Sequence, residues 1–147
     1  MVARDRATRK RDALALLATP AVDAWVASAA SSGPHLVPLS LAWIKDRVVI
    51  AVAWSSVTAR NIMASGRARL GVGATRDVVM IDGALERTIE VGTDEAIGAA
   101  YAAQADWDPR TDSGYVYLVL RPERIQAWRE ADETAGRTLM RDGIWLV

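Results

Sequence analysis

Apolar positions change period several times along the chain, and the changes mark its elements. Residues 5–18 read as a helix. Asp12-Ala-Leu-Ala-Leu-Leu-Ala carries it forward, and it stops at Thr19-Pro20 because the residue before a proline is pushed out of the α region. Its basic run, Arg9-Lys10-Arg11, lies between Asp5 and Asp12 and reads as a solvated turn of that helix. Strand signals follow. The stretch from Val22 to Ala29 is a first strand, and Ser31-Ser-Gly-Pro34 is a turn. His35 to Trp43 is a second strand. Proline cannot donate to a ladder, so Pro38 marks this strand as an edge or an opening. Lys45-Asp46 turns the chain into Arg47–Ala53, apolar on both faces and therefore central.

At Ser55 the period becomes helical. Ser55 or Ser56 can cap a helix over residues 57–65, and Gly66 can close it. Arg67–Gly73 is a fourth strand. Asp77 to about Glu90 is a long fifth, with Gly83 at a bulge or kink. Thr93 to Gln104 is a helix capped by Thr93, with Asp94 and Glu95 at its positive end. A polar loop, Asp106–Gly114, precedes the strand Tyr115–Leu120, which Ile125–Arg129 extends. Residues 137–147 form a hairpin turning at or near Asp142-Gly143. Strands joined by short turns, with few helices, predict a mainly β, antiparallel barrel with peripheral helices, one domain over residues 1–147.

Composition narrows the function. The 51% apolar and 24% charged residues exclude a disordered chain. Eighteen basic residues balance eighteen acidic ones, so no excess charge favours nucleic acid. There is no Cys and one His, His35. Thiolate metal sites, Cys nucleophiles and multi-imidazole metal sites are thereby excluded within one chain, and no metal is expected. No apolar run is long enough to span a membrane, and the charged start lacks the apolar core of a secretory signal, so the expected location is the cytoplasm. Six Trp and no Phe supply anchors for a core or an interface, and one or two could face a planar ligand.

Three constellations could carry chemistry. The first is the strand-to-helix junction Trp54–Asn61. There a helix start offers N–H groups and partial positive charge, Ser55, Ser56 and Thr58 offer hydroxyls, and Arg60 a guanidinium fork, a set suited to phosphate. The second is Val37-Pro38-Leu39-Ser40, where the proline frees main-chain groups to meet the edge of a flat heterocycle. The third is Trp107-Asp108-Pro109-Arg110, a loop able to act as a lid or a dimer contact. His35 reads as a turn-end residue, because no G-x-S-x-G elbow accompanies it. Neither a dinucleotide fingerprint nor a P-loop occurs.

Several pieces recur in one order: Gly33-Pro-His-Leu-Val-Pro-Leu-Ser40, Ser55-Ser-Val-Thr-Ala-Arg-Asn-Ile62, Arg67-Ala-Arg-Leu-Gly-Val72, Asp82-Gly83-Ala84, the Asp106–Pro109 loop and the Tyr115–Trp128 strand. In that order they resemble the pyridoxamine 5′-phosphate oxidase-like flavin split-barrel family, and within it the flavin/deazaflavin oxidoreductases, over roughly residues 12–130. The resemblance implies a six-stranded split barrel working as a homodimer, with FMN or coenzyme F-420 in a groove between subunits and a small organic substrate. It implies that Pro38, Leu39 and Ser40 line the ring, that Ala53, Trp54 and Ser55 lie on the neighbouring strand end, and that Ser56, Thr58, Arg60 and Asn61 sit at the phosphate. Trp107, Arg110 and Trp128 would be lid or partner-chain contacts. Many relatives carry Lys where this chain has Thr58, which brings one neutral donor and no charge. No catalytic side chain is nominated. A non-catalytic ligand-binding homodimer with a degenerate groove, or a purely structural dimer, remains the alternative.

Overall fold

In the computed structural model, which describes residues 2–147, the chain runs α1 (Arg6–Leu17), β1 (Asp23–Ala30), β2 (Gly33–Ser40), β3 (Ala42–Ile44), β4 (Arg47–Ala53), α2 (Val57–Ser65), β5 (Arg67–Ala74), β6 (Asp77–Glu90), α3 (Glu95–Ala105), β7 (Tyr115–Trp128), β8 (Thr138–Arg141) and β9 (Ile144–Trp145). Met1, first residue of the charged amino-terminal stretch, lies outside the described residues. All strand pairs are antiparallel. The order is β2-β1-β5-β6-β7-β4-β3, with β8 beside β7 and β9 beside β8. The class is as expected, but the sheet has nine strands, not six.

Part of the difference lies at Leu41. The continuous strand expected over His35–Trp43 breaks there: Leu41 is fully buried in the barrel core, and its N–H makes the last bond of the β1–β2 ladder, to the Val22 carbonyl. Beyond it the chain leaves β1 and joins β4 through β3. β2 touches β4 and α2 without pairing to β4, and this gap is the split in the barrel. Pro38 falls on β2, an edge strand, where its missing N–H costs no ladder bond.

β4 alternates between two cores. Val48, Ile50 and Val52 join Val26, Leu70, Ile81, Leu118 and Leu120 inside the barrel, closed by Leu17 of α1 and Ile62 of α2. Val49 and Ala51 face the other way, with Tyr117 and Val119, under Tyr101 and Ala105 of α3. β6 coils across the barrel with register shifts at Asp82/Gly83 and Leu85/Arg87. A Cβ on Gly83 would lie 3.2 Å from the Leu120 Cβ, a tight contact that Leu120 would have to yield to by a few tenths of an ångström. Asp142 and Gly143, both at positive φ, turn the terminal hairpin.

Two local expectations are corrected. Asp94, not Thr93, caps α3: its carboxylate accepts from the Ile97 N–H, while the Thr93 hydroxyl donates to the Glu90 carbonyl in the preceding turn. The basic amino-terminal stretch is not simply solvated. Arg9 is buried and donates to the carbonyls of Arg4, Ala127, Glu133 and Ala135. Arg4 pairs with the buried Glu133 and with Asp12. These bonds clamp the chain's start to the turn after β7.

Candidate functional site

The end of β4 and the start of α2 form a defined corner beside the split. The Trp54 N–H donates to the Gly114 carbonyl, which ties the corner to the start of β7. The Ser56 hydroxyl accepts from the Ala59 N–H at 3.0 Å and donates to the Ala53 carbonyl at 2.8 Å. It is therefore the cap, and its hydrogen-bonding is committed to the fold. Gly66 closes the helix at φ 72°. Replacing Ser56 with Ala is expected to cost about 1 kcal/mol, read as a lower urea midpoint at unchanged slope.

The faces of α2 separate the residues that the sequence grouped. Thr58, Ala59, Asn61 and Ile62 are buried, whereas Val57 and Arg60 are exposed. Asn61 donates to the Ser28 hydroxyl of β1. Thr58 and Asn61 thus look toward the barrel and are covered within the chain; they do not share a face with Arg60. Arg60 folds back to donate to the Ser55 carbonyl, and no carboxylate lies within ion-pair distance of it among the described residues. The N–H groups of Val57 and Thr58, first in the helix, have no acceptor among the described residues. A guanidinium without a carboxylate partner, two N–H groups without acceptors and the exposed Ser55 therefore meet at one corner, with Trp54 beside them at 43% exposure.

On β2 the three expected ring contacts alternate. Leu39 packs against the barrel core, while Pro38 and Ser40 pair in register with Trp25 and Asp23 of β1. Ser40 bonds the Asp23 carboxylate weakly, at 3.4 Å. Only Pro38 and Ser40 can present side chains to a ligand on the outer face. The feature that sequence reasoning left unassigned is Trp25. It is 55% exposed and flanked by Pro38 and by Gly71, whose lack of a side chain leaves the indole plane open. A hollow of about 440 Å³ runs over this surface. Alternation along Val22–Ala30 puts Trp25 opposite the buried Ala24 and Val26, and that signal was available in the sequence.

The third constellation is fastened down. Trp107 packs edge-on against Tyr101 and Tyr115 at centroid distances of 6.2 and 5.3 Å. Burial pushes the Tyr101 hydroxyl up to about 12. Arg110 grips Asp108 through its side chain and packs over Gly98 of α3, and these bonds hold the Asp108 carboxyl below its usual range. Trp128 lies under the Arg137 guanidinium at 5.1 Å. A second groove, of about 470 Å³, runs past Ser28, Arg67, Arg69 and Asp82 on β1, β5 and β6. Its guanidiniums are already paired, Arg69 with Asp82 and Arg67 with Glu123.

No protein-family model and no curated protein matches the sequence. Solved structures do match. An F420 reductase superposes with a TM-score of 0.63 at 20% identity, over 76% of this chain and 93% of that one. General stress protein 26 from Bacillus anthracis str. Sterne gives 0.66 at 14% identity, over 81% and 92%. A Listeria innocua protein provisionally described as a pyridoxamine 5′-phosphate oxidase gives 0.63 at 18% identity, over 82% and 98%. The chain therefore has the pyridoxamine 5′-phosphate oxidase-like split-barrel fold. Among the described residues, no helix is long and apolar enough to cross a membrane.

Proposed function

We propose that the protein is an oxidoreductase using FMN or coenzyme F-420, acting on a small organic molecule in the cytoplasm as a homodimer. The observation that carries this reading is the corner at α2: an Arg60 guanidinium without a carboxylate partner beside two helix N–H groups without acceptors, set at the split of a barrel. That donor set suits a phosphate dianion. When bound, a flavin or deazaflavin would supply hydride transfer.

The chain's own residues would do the rest. Val57, Thr58 and Arg60 hold the phosphate through two main-chain donors and one side chain. The Ser55 hydroxyl adds a neutral donor. The edge backbone of β2 near Pro38 orients the ring, and Trp54 covers it from the corner. A second copy excludes water. Support for the dimer comes from the exposed apolar residues Trp25, Leu36 and Pro38 on neighbouring strands, which make one continuous patch beside the split. Replacing both Trp25 and Leu36 with Glu is expected to leave a folded monomer in sedimentation at micromolar concentration. A wild-type monomer under the same conditions would remove the two-chain site.

The direct test of the cofactor class is the absorption spectrum of the purified protein, before and after added cofactor. A band near about 450 nm marks flavin and one near about 420 nm the deazaflavin. A colourless protein that also takes up neither FMN nor F-420 would overturn the proposal in favour of a structural dimer.

A further inference from the structure

A cleft of about 260 Å³ opens between the first turns of α3 and the β3–β4 hairpin, away from the α2 corner. Its floor is apolar: Val49 and Val119 are buried beneath it, and Ile44 and Ile97 form its walls. The space exists because α3 presents Ala96 and Ala100 there, where longer side chains would fill it. Its mouth is charged. Arg47 is held by Glu86, and Arg87 reaches Asp94 at 3.6 Å. Lys45, on the hairpin turn, has no ion-pair partner among the described residues. Of the three cations that line the mouth, Lys45 alone has no ion-pair partner among the described residues, and Asp46 stands next to it on the turn.

We propose that this cleft binds a small amphipathic monocarboxylate, its short alkyl or aryl body on the Val49–Val119 floor and its carboxylate on Lys45. An apolar pocket with one convergent charged group fixes both the class and the orientation of such a ligand. Lys45, already without an ion-pair partner, is the group at the mouth that an anion would meet. The volume admits a short chain and excludes a flavin, so the site is independent of the cofactor reading.

The test is a titration of the folded protein with hexanoate, followed by amide chemical shifts, with hexanamide as the uncharged counterpart. Saturable shifts are expected at residues 44–49 and 96–100. Lys45→Gln is expected to weaken hexanoate by about two- to fivefold, as loss of one solvent-facing ion pair should. That variant should bring hexanoate to the level of hexanamide. Ala100→Leu is expected to abolish binding while leaving shifts elsewhere in place; should it disturb the fold, Ala96→Leu serves the same purpose from the rim. No saturable shift with hexanoate up to roughly 10 mM would overturn the proposal. So would binding that survives both filling substitutions, or equal affinity for hexanoate and hexanamide.

Discussion

Replacing Glu133 with Ala is expected to destabilise the fold by roughly 1–3 kcal/mol, because the Arg4 and Arg129 main-chain N–H groups lose their acceptor while the Arg4 guanidinium keeps Asp12 at 2.9 Å. Glu133 is 2% exposed. Its carboxylate accepts from the Arg4 main-chain N–H at 2.8 Å, from two guanidinium nitrogens of Arg4 at 3.0 and 2.8 Å, and from the Arg129 N–H at 2.9 Å. Those Arg4 bonds, foremost the side-chain ones, pull its pKa down from 4.5 to about 2. The pH dependence follows with a definite sign. A depressed carboxyl stabilises the fold fully above its unfolded value and loses that contribution as pH falls through the folded value. The wild type is therefore expected to lose on the order of 3 kcal/mol between about pH 5 and pH 2 from this group alone. The Ala variant should lack that part of the acid limb. Denaturant midpoints measured across this pH range check it; parallel curves for both proteins would contradict it.

Arg60→Ala is expected to weaken FMN or F-420 binding by about 10- to 150-fold, corresponding to one charged hydrogen bond of about 1.5–3 kcal/mol. The fold should not suffer, since the guanidinium is exposed and its only intramolecular bond is to the Ser55 carbonyl. The buried neighbours Thr58 and Asn61 serve as controls of a different kind. Substituting either disturbs packing against the barrel, and substituting Asn61 also removes the bond to Ser28, so stability should fall along with affinity. Loss of affinity without loss of stability is the signature reserved for Arg60. Isothermal titration alongside denaturation curves separates the two.

How legible these features were depended on the range of the interaction behind each. The double-faced apolar run Arg47–Ala53 announces a strand buried on both sides, and β4 is one. The Ser56 and Gly66 caps depend on chemistry within one turn, and helix 57–65 follows from them. The bulge at Gly83 and the edge position of Pro38 are likewise local constraints on backbone donors and space. What escaped was set by distant partners. Leu41 lies at the break between β2 and β3 with its side chain in a core built from distant strands, and no residue around Leu41 signals that. Arg4 and Glu133 are 129 positions apart, each within an ordinary charged stretch. The face of α2 that carries Arg60 is decided by how the helix seats on β1, so Thr58 and Asn61 looked like equal members of one cluster. Trp25 was visible through strand alternation, but its openness depends on Gly71 across the ladder.

The central claim is that the start of α2 holds a cofactor phosphate. Its most direct test is the dissociation constant of wild-type protein for FMN and F-420, measured beside riboflavin, which has the flavin ring without the phosphate. At least one of the two phosphorylated cofactors is expected to bind saturably. If FMN is that ligand, it should bind at least about tenfold more tightly than riboflavin, the difference of one charged contact. Saturable binding of FMN no tighter than that of riboflavin, or no binding of either FMN or F-420, would contradict the account.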